Sequence, residues 1–249
     1  MELKGAVALV TGCTGGLGQY ICRAFAKEGT HVAGVYIHSK EEAEALMAEL
    51  SELGPRCVAI QADAFEESGI QAMVDATLRE FGRIDILVNN AAYNKSVAWP
   101  DLDGLTLDLW NYILKTNTTA PWLASKAVAP IMKKQGDGRI VNVSSIAGLA
   151  PLGSSIAYAV SKAAMIHLTR CLAVALAPEI AVNSVAPGTM MGTRMTARLD
   201  PELVESTIQG SALRRPVERD DVADQIVTFC RGDSTTGQVL LVDSGKAFH

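Results

Sequence analysis

Apolar residues along this chain gather in short runs: positions 6–10, 31–37, 57–60, 84–88, 139–143, 180–185 and Val239–Val242. Runs of this length, with little polar alternation, suit strands buried on both faces, as in a parallel sheet. Between them lie stretches with helical spacing. One covers 19–28 and is stopped by Gly29; another covers 41–53 and ends at Gly54-Pro55; a third covers 67–81. A longer one covers 105–135 and carries Asn117 in its middle. Asparagine competes for backbone hydrogen bonds inside a helix, so a local kink holding a water is expected there. The last helix opens at 155–162 and meets no breaker before Pro178. Strands alternating with helices predict an α/β chain. Residues 190–215 have no strand pattern and contain Gly192, Pro201 and Gly210. They predict a mobile helical flap, spanning about 189–215, over a site.

Composition narrows the picture. The 249 residues are 49% hydrophobic and 20% charged, enough for a large core, and show no repeat, linker or low-complexity tract. A single domain, 1–249, is expected. The formal net charge of −5 argues against nucleic acid or an anionic membrane as partner. No apolar run reaches the roughly 18 residues a membrane span needs. The first strand begins too early for a signal peptide to precede it. Cys13, Cys22, Cys57, Cys171 and Cys230 are scattered, odd in number and free of C-x-x-C. They read as reduced thiols, as in the cytoplasm. His31, His38, His167 and His249 have no ligand spacing, so no metal is expected.

The candidate chemistry lies at strand ends. Tyr158 and Lys162 are four apart on one helix and share a face. An ammonium beside a phenol favours the phenolate and lowers its pKa, which makes an acid/base pair. The alternative is an exposed tyrosine and a solvated lysine. After the first strand comes Thr11-Gly12-Cys13-Thr14-Gly15-Gly16-Leu17-Gly18, then a helix. A glycine loop in that place lets backbone approach a pyrophosphate; a tight βα turn is the alternative. In a dinucleotide fold the second strand ends at the adenosine ribose, where a carboxylate selects a free 2′-hydroxyl. Here that end reads Tyr36-Ile37-His38-Ser39-Lys40, with no carboxylate before Glu41. A hydroxyl, an imidazole and an ammonium point to a 2′-phosphate, although His38 and Lys40 also suit a solvated helix start. Asp63 can accept from an adenine amino group or cap a helix. Asn89-Asn90 can tie neighbouring loops, and Ala91 and Ala92 leave room for a ring or ribose. Ser144-Ser145 and Pro187-Gly188-Thr189 end two further strands, at the sheet edge where ligands bind.

Taken together, these blocks resemble the short-chain dehydrogenase/reductase family, in its 3-oxoacyl-carrier-protein reductase-like branch. The resemblance rests on Thr11-Gly-x-x-x-Gly-x-Gly18, Asp63, Asn89-Asn90-Ala91, Asn117, Ser145, Tyr158-x-x-x-Lys162 and Pro187-Gly188, and covers almost the whole chain. It implies a Rossmann-type, doubly wound, seven-stranded parallel sheet. It also implies an oxidoreductase moving a hydride between a nicotinamide and a carbonyl or secondary alcohol. Tyr158 would carry the proton, Lys162 would hold the nicotinamide ribose and lower the tyrosine pKa, and Ser145 would bond the reacting oxygen. Ser145 is chosen over Ser144 because the family's serine lies 13 positions before its tyrosine. Asn117 would hold a water linking Lys162 to solvent. Gly12, Thr14, Gly16, Leu17, Gly18, Tyr36, His38, Ser39, Lys40, Asp63, Ala64, Asn90, Ala91, Ala92, Pro187, Gly188 and Thr189 would contact the cofactor. Ala92, Thr118 and Asp243-Ser244-Gly245 depart from the family pattern away from catalytic positions.

NADP(H) is expected ahead of NAD(H). The substrate pocket, walled by Tyr93, Asn94, Trp99, Ala147, Leu152, Met190, Met191 and the flap, predicts a neutral hydrophobic carbonyl or alcohol. Arg194 in the flap is the nearest cation for a carboxylate, against its reading as an exposed helix residue. Ala163, Ala164, Ala173, Ala175 and Ala177 permit close helix packing, and the family resemblance implies a homotetramer or homodimer. A non-catalytic dinucleotide sensor or scaffold on the same fold is the alternative function.

Overall fold

The computed structural model describes residues 1–248, the side chain of Arg198 excepted; His249, one of the histidines above, lies outside the described residues. Seven parallel strands form one sheet in the order β3-β2-β1-β4-β5-β6-β7. They are β1 (Val7–Thr11), β2 (His31–Tyr36), β3 (Cys57–Gln61), β4 (Ile86–Asn89), β5 (Gly138–Val143), β6 (Ile180–Pro187) and β7 (Val239–Val242). The chain winds outward from β1 to β3, then returns to place β4 against the other side of β1. That reversal leaves a crevice at the carboxyl ends of β1 and β4, where open α/β sheets bind ligands. The Rossmann-type architecture expected from the sequence is present.

The continuous apolar runs are explained by two cores. Ala8 and Val10 of β1, Ile86 and Val88 of β4 and Val141 of β5 face one cluster, with α1 (Gly18–Lys27), α2 (Lys40–Ser51) and α8 (Arg219–Arg231). Leu9, Leu87 and Ile140, alternating with them, face the other, with α3 (Glu67–Phe81), α5 (Ala120–Gln135) and α6 (Ile156–Ala175). Leu9, Leu87 and Ile140 are wholly buried. Each such side chain stabilises the fold by about 1.5–3 kcal/mol. No helix of the described residues is long and apolar enough to cross a membrane.

Four elements sharpen or depart from the sequence reading. The segment 105–135 is two helices, α4 (Leu107–Leu114) and α5, joined by a π turn at Lys115–Thr119. Asn117 lies in that turn, as the expected kink. Pro121, four residues on, has no N–H for the Asn117 carbonyl, and the Ala120 N–H bonds back to Lys115. The flap contains a 3₁₀ turn, Thr196–Arg198, and α7 (Pro201–Gln209). α8 was absent from the sequence reading, although Val222, Ala223, Ile226, Val227 and Cys230 have helical spacing. β4 starts later than its apolar run because Asp85 breaks it. The Asp85 carboxylate is buried, accepting the Val7 N–H at 2.8 Å and the Arg83 guanidinium.

Candidate active site

The crevice is a cleft of about 350 Å³. Its floor is set by hydrogen bonds between strand ends. Thr11 Oγ1 accepts the N–H groups of Asn90 and Ala91, each at 3.0 Å, and Asn90 Nδ2 donates to the Thr11 carbonyl at 2.8 Å. Asn89 Nδ2 donates to Asn142 Oδ1 at 2.8 Å, joining β4 to β5. The paired amides therefore tie neighbouring strand ends, as expected. The glycine loop turns above this floor. A Cβ on Gly18 would fall on the Gly12 carbonyl oxygen. A Cβ on Gly16 would lie 2.8 Å from the Gly192 oxygen and 2.9 Å from Thr193 Cα, so the flap's first turn rests directly on the loop.

The opposite wall carries the titratable cluster. Ser155 caps α6 by accepting the Tyr158 N–H at 3.2 Å, which starts the helix three residues before the tyrosine. Lys162, one turn on, is 2% exposed. Its Nζ donates to the Val143 carbonyl at 2.8 Å and stands 5.8 Å from the Tyr158 ring centroid. Ser145 Oγ accepts the Ala147 N–H at 3.1 Å and stands beside the Tyr158 phenol, where it favours the ionised form, whereas Ser144 Oγ donates to the Val185 carbonyl at 3.1 Å. The geometry thus separates the two serines as the family spacing does. Asn117 accepts the Tyr93 N–H at 2.8 Å through Oδ1 and donates through Nδ2 to the Tyr93 carbonyl, 2.8 Å, and Ser161 Oγ, 3.1 Å. It braces the back of α6 and does not line the cleft.

The pKa expectation for Tyr158 needs correction. Burial pushes the phenol up to about 12, and the neighbouring Ser145 hydroxyl pulls only partly the other way. Burial also lowers Lys162 to about 8. Desolvation disfavours both charged forms, and it outweighs the attraction between them. Tyr158 is therefore held as a neutral phenol at pH 7, while Lys162 is still mostly charged.

Most expected contacts line the cleft: Gly12, Thr14, Gly16, Leu17, Gly18, Tyr36, His38, Ser39, Ala64, Asn90, Ala91, Ala92, Ser145, Tyr158, Lys162, Pro187, Gly188 and Thr189. Asp63 does not; its Oδ1 accepts the Phe65 N–H at 2.9 Å, so it fixes the turn before α3, and Phe65 lines the cleft instead. Lys40 also does not; its Nζ lies 3.7 Å from Glu44 along α2. Of the proposed substrate wall, Asn94, Ala147, Leu152 and Met190 face the cleft, and Tyr93, Trp99 and Met191 do not. Tyr93 packs edge-on against Tyr112, and Trp99 Nε1 donates to the Gly153 carbonyl at 3.2 Å. The flap adds Thr193, Arg194, Met195, Thr196 and Leu199. Met195 Sδ lies 3.7 Å from the Tyr158 hydroxyl.

The family model for short chain dehydrogenases matches residues 6–203. The chain belongs to the short-chain dehydrogenase family. A protein of Streptomyces violaceoruber, named as a ketoacyl reductase of the granaticin polyketide synthase, is 39% identical over 97% of this chain and 96% of its own. A 3-oxoacyl-[acyl-carrier-protein] reductase of Synechocystis sp. is 34% identical over 98% of this chain and 97% of its own. The crystal structure of an NADPH-dependent 3-quinuclidinone reductase from Rhodotorula rubra matches with a TM-score of 0.90 at 28% identity, covering 99% of this chain and 92% of that one. As a short-chain dehydrogenase the protein is an NAD(P)-dependent oxidoreductase of small molecules. The site fits such a cofactor: Gly12, Gly15 and Gly16 present bare backbone to the cleft at the start of α1, where a pyrophosphate is received.

Proposed function

We propose that this short-chain dehydrogenase reduces a neutral, hydrophobic ketone to a secondary alcohol, with NADP(H) preferred over NAD(H). The observation that carries the reading is the meeting of Ser145, Tyr158 and buried Lys162 on one wall of a cleft with a glycine-loop floor. The cofactor supplies the hydride when bound. Tyr158, neutral at pH 7, gives its phenolic proton to the substrate oxygen. Ser145 donates a second hydrogen bond to that oxygen, stabilising the charge that develops on it. Lys162 holds a positive charge behind the phenol and favours the tyrosinate left after proton transfer. It would also hold the nicotinamide ribose hydroxyls. Asn117 keeps the π turn in place, and the carbonyl deprived of a donor by Pro121 is suited to hold a water between Lys162 and solvent.

Leu152, Ala147, Met190, Met195 and Leu199 give the substrate end an apolar wall. The names of the two curated relatives, both reducing oxoacyl or ketoacyl groups, agree with a ketone. No carboxylate ends β2, and Tyr36, His38 and Ser39 stand there at the cleft. This supports a 2′-phosphate on the cofactor, as does the NADPH dependence in the Rhodotorula enzyme's name. Self-association into a tetramer or dimer is supported by apolar side chains exposed on α4, α5 and α6.

The test is NADPH oxidation across a panel of hydrophobic ketones, followed at the nicotinamide absorbance band. Tyr158→Phe should lose two or more decades of turnover, the usual scale of general acid catalysis, with its circular dichroism unchanged. A folded variant with near-normal turnover would remove Tyr158 from the mechanism. Tight NADPH binding without turnover of any ketone would favour the sensor reading.

A further inference from the structure

The flap reaches both ends of the cleft through adjacent residues. Met195 meets the Tyr158 hydroxyl at one end. Arg194 crosses to the other, where its Nη2 donates to Ser39 Oγ at 3.3 Å, just beyond β2. The same guanidinium stands 4.0 Å from the Glu42 carboxylate. Ser39 does not cap α2 with its side chain, so its hydroxyl is turned toward the flap and not into the helix. Arg194, Ser39 and His38 line the cleft together.

We propose that Arg194 is the residue that selects the 2′-phosphate of NADP(H), carried to the adenosine end of the cleft by the flap. The inference rests on the NADP(H) reading above and names the cation that reading lacks. Lys40, the ammonium expected for the role, lies beside Glu44 and off the cleft. A phosphate dianion is best met by the planar fork of a guanidinium, which can give two parallel hydrogen bonds. Arg194 offers that fork beside a free-standing hydroxyl.

The Glu42 pair does not prevent this. Both partners are about two-thirds exposed, 67% and 62%, and exposed pairs of this kind are weak enough to exchange. Glu42 itself does not line the cleft. A guanidinium held for the 2′-phosphate has no comparable partner on a 2′-hydroxyl, so loss of Arg194 should fall on the phosphorylated cofactor alone. Because the residue sits in the flap, its grip also links cofactor identity to flap closure over Tyr158.

The experiment measures binding to the full chain and needs no turnover. Adenosine 2′,5′-bisphosphate and 5′-AMP are titrated by calorimetry, and NADPH and NADH by protein fluorescence, into wild type, Arg194→Gln and Arg194→Lys. Arg194→Gln should weaken the bisphosphate and NADPH by about tenfold or more, the scale of a partly exposed charge-assisted contact. AMP and NADH should stay within about twofold, and Arg194→Lys should fall between. Thermolysin cleavage of the flap should slow with the bisphosphate in wild type and not in Arg194→Gln. The inference is overturned if Arg194→Gln keeps the wild-type preference for NADPH, or weakens both cofactors equally. If wild type itself binds NADH as tightly as NADPH, the NADP(H) reading fails first and takes the inference with it.

Discussion

Lys162→Met should make the protein more stable while abolishing its activity. Burial lowers the Lys162 pKa from 10.5 to about 8. At about 1.4 kcal/mol per pH unit, keeping the charged amine in place costs about 3 kcal/mol at pH 7. Methionine removes the charge but leaves the Val143 carbonyl without its donor, a loss of about 1–2 kcal/mol. The net gain is about 1–2 kcal/mol, or a rise in Tm of roughly 4 °C for a chain of this size. The sign with pH follows from linkage. Between about pH 8 and 10.5 the unfolded chain binds the proton that the folded amine has released, so wild-type stability climbs with pH there. The advantage of the variant should thus shrink above pH 8 and vanish near pH 10. Tyr158, raised to about 12, lowers stability above pH 10 in both proteins and cancels in the difference. Urea unfolding at pH 7, 8.5 and 10, at one protein concentration, reads this directly. A variant less stable than wild type at pH 7, or a difference that does not change with pH, would refute the reasoning.

Two other perturbations probe the flap and the surface. Gly16→Ala places a Cβ 2.8 Å from the Gly192 oxygen and 2.9 Å from Thr193 Cα, both backbone, so the flap must lift; cofactor affinity measured by fluorescence should drop by about tenfold, and wild-type affinity in the variant would show that the contact is immaterial. Leu107, Tyr112, Trp122 and Val174 are exposed on α4–α6; light scattering should find a tetramer or dimer of the 26.4 kDa chain, with Trp122→Glu shifting it toward smaller species, and a wild-type monomer would end that reading.

The sheet was legible because its signal is local. Leu9 and Val10 face opposite cores, so β1 must be apolar at both positions, and a continuous run follows. The π turn was legible as a kink because Asn117 is a poor helix residue, and Pro121 adds a second local cause. α8 is hidden in the sequence for a different reason. Its apolar positions have helical spacing, but Arg219, Asp220, Asp221, Asp224 and Arg231 dilute the segment, and its apolar stripe gains meaning only against α1 and the first core. Asp85 shows the opposite failure. It sits inside an apolar run and its backbone still bonds Val7 and Arg139 on the flanking strands, yet its buried carboxylate takes the Val7 N–H, and the regular pairing begins only at Ile86.

The site divides along the same line. Tyr158 and Lys162 are four residues apart, and the glycine loop is contiguous, so helix geometry alone brings these groups together. What sequence spacing does not carry is which of several partners, near or far along the chain, a side chain takes. Asp63 suits an adenine contact or a helix cap, and neither accounts for a carboxylate taken by the Phe65 N–H just before α3. Lys40 suits the phosphate because it follows β2, but Glu44, one helical turn away, lies beside its ammonium. Arg194, 155 residues from Ser39, takes the position instead. The tyrosine pKa fails by the same logic. Proximity of an ammonium is visible in the sequence, whereas the depth of burial that overrides it is a property of Ser145, the flap and α6 assembled around one hydroxyl. Short-range geometry therefore settles which groups can do the chemistry, and only the folded surroundings settle their protonation and their choice of cofactor.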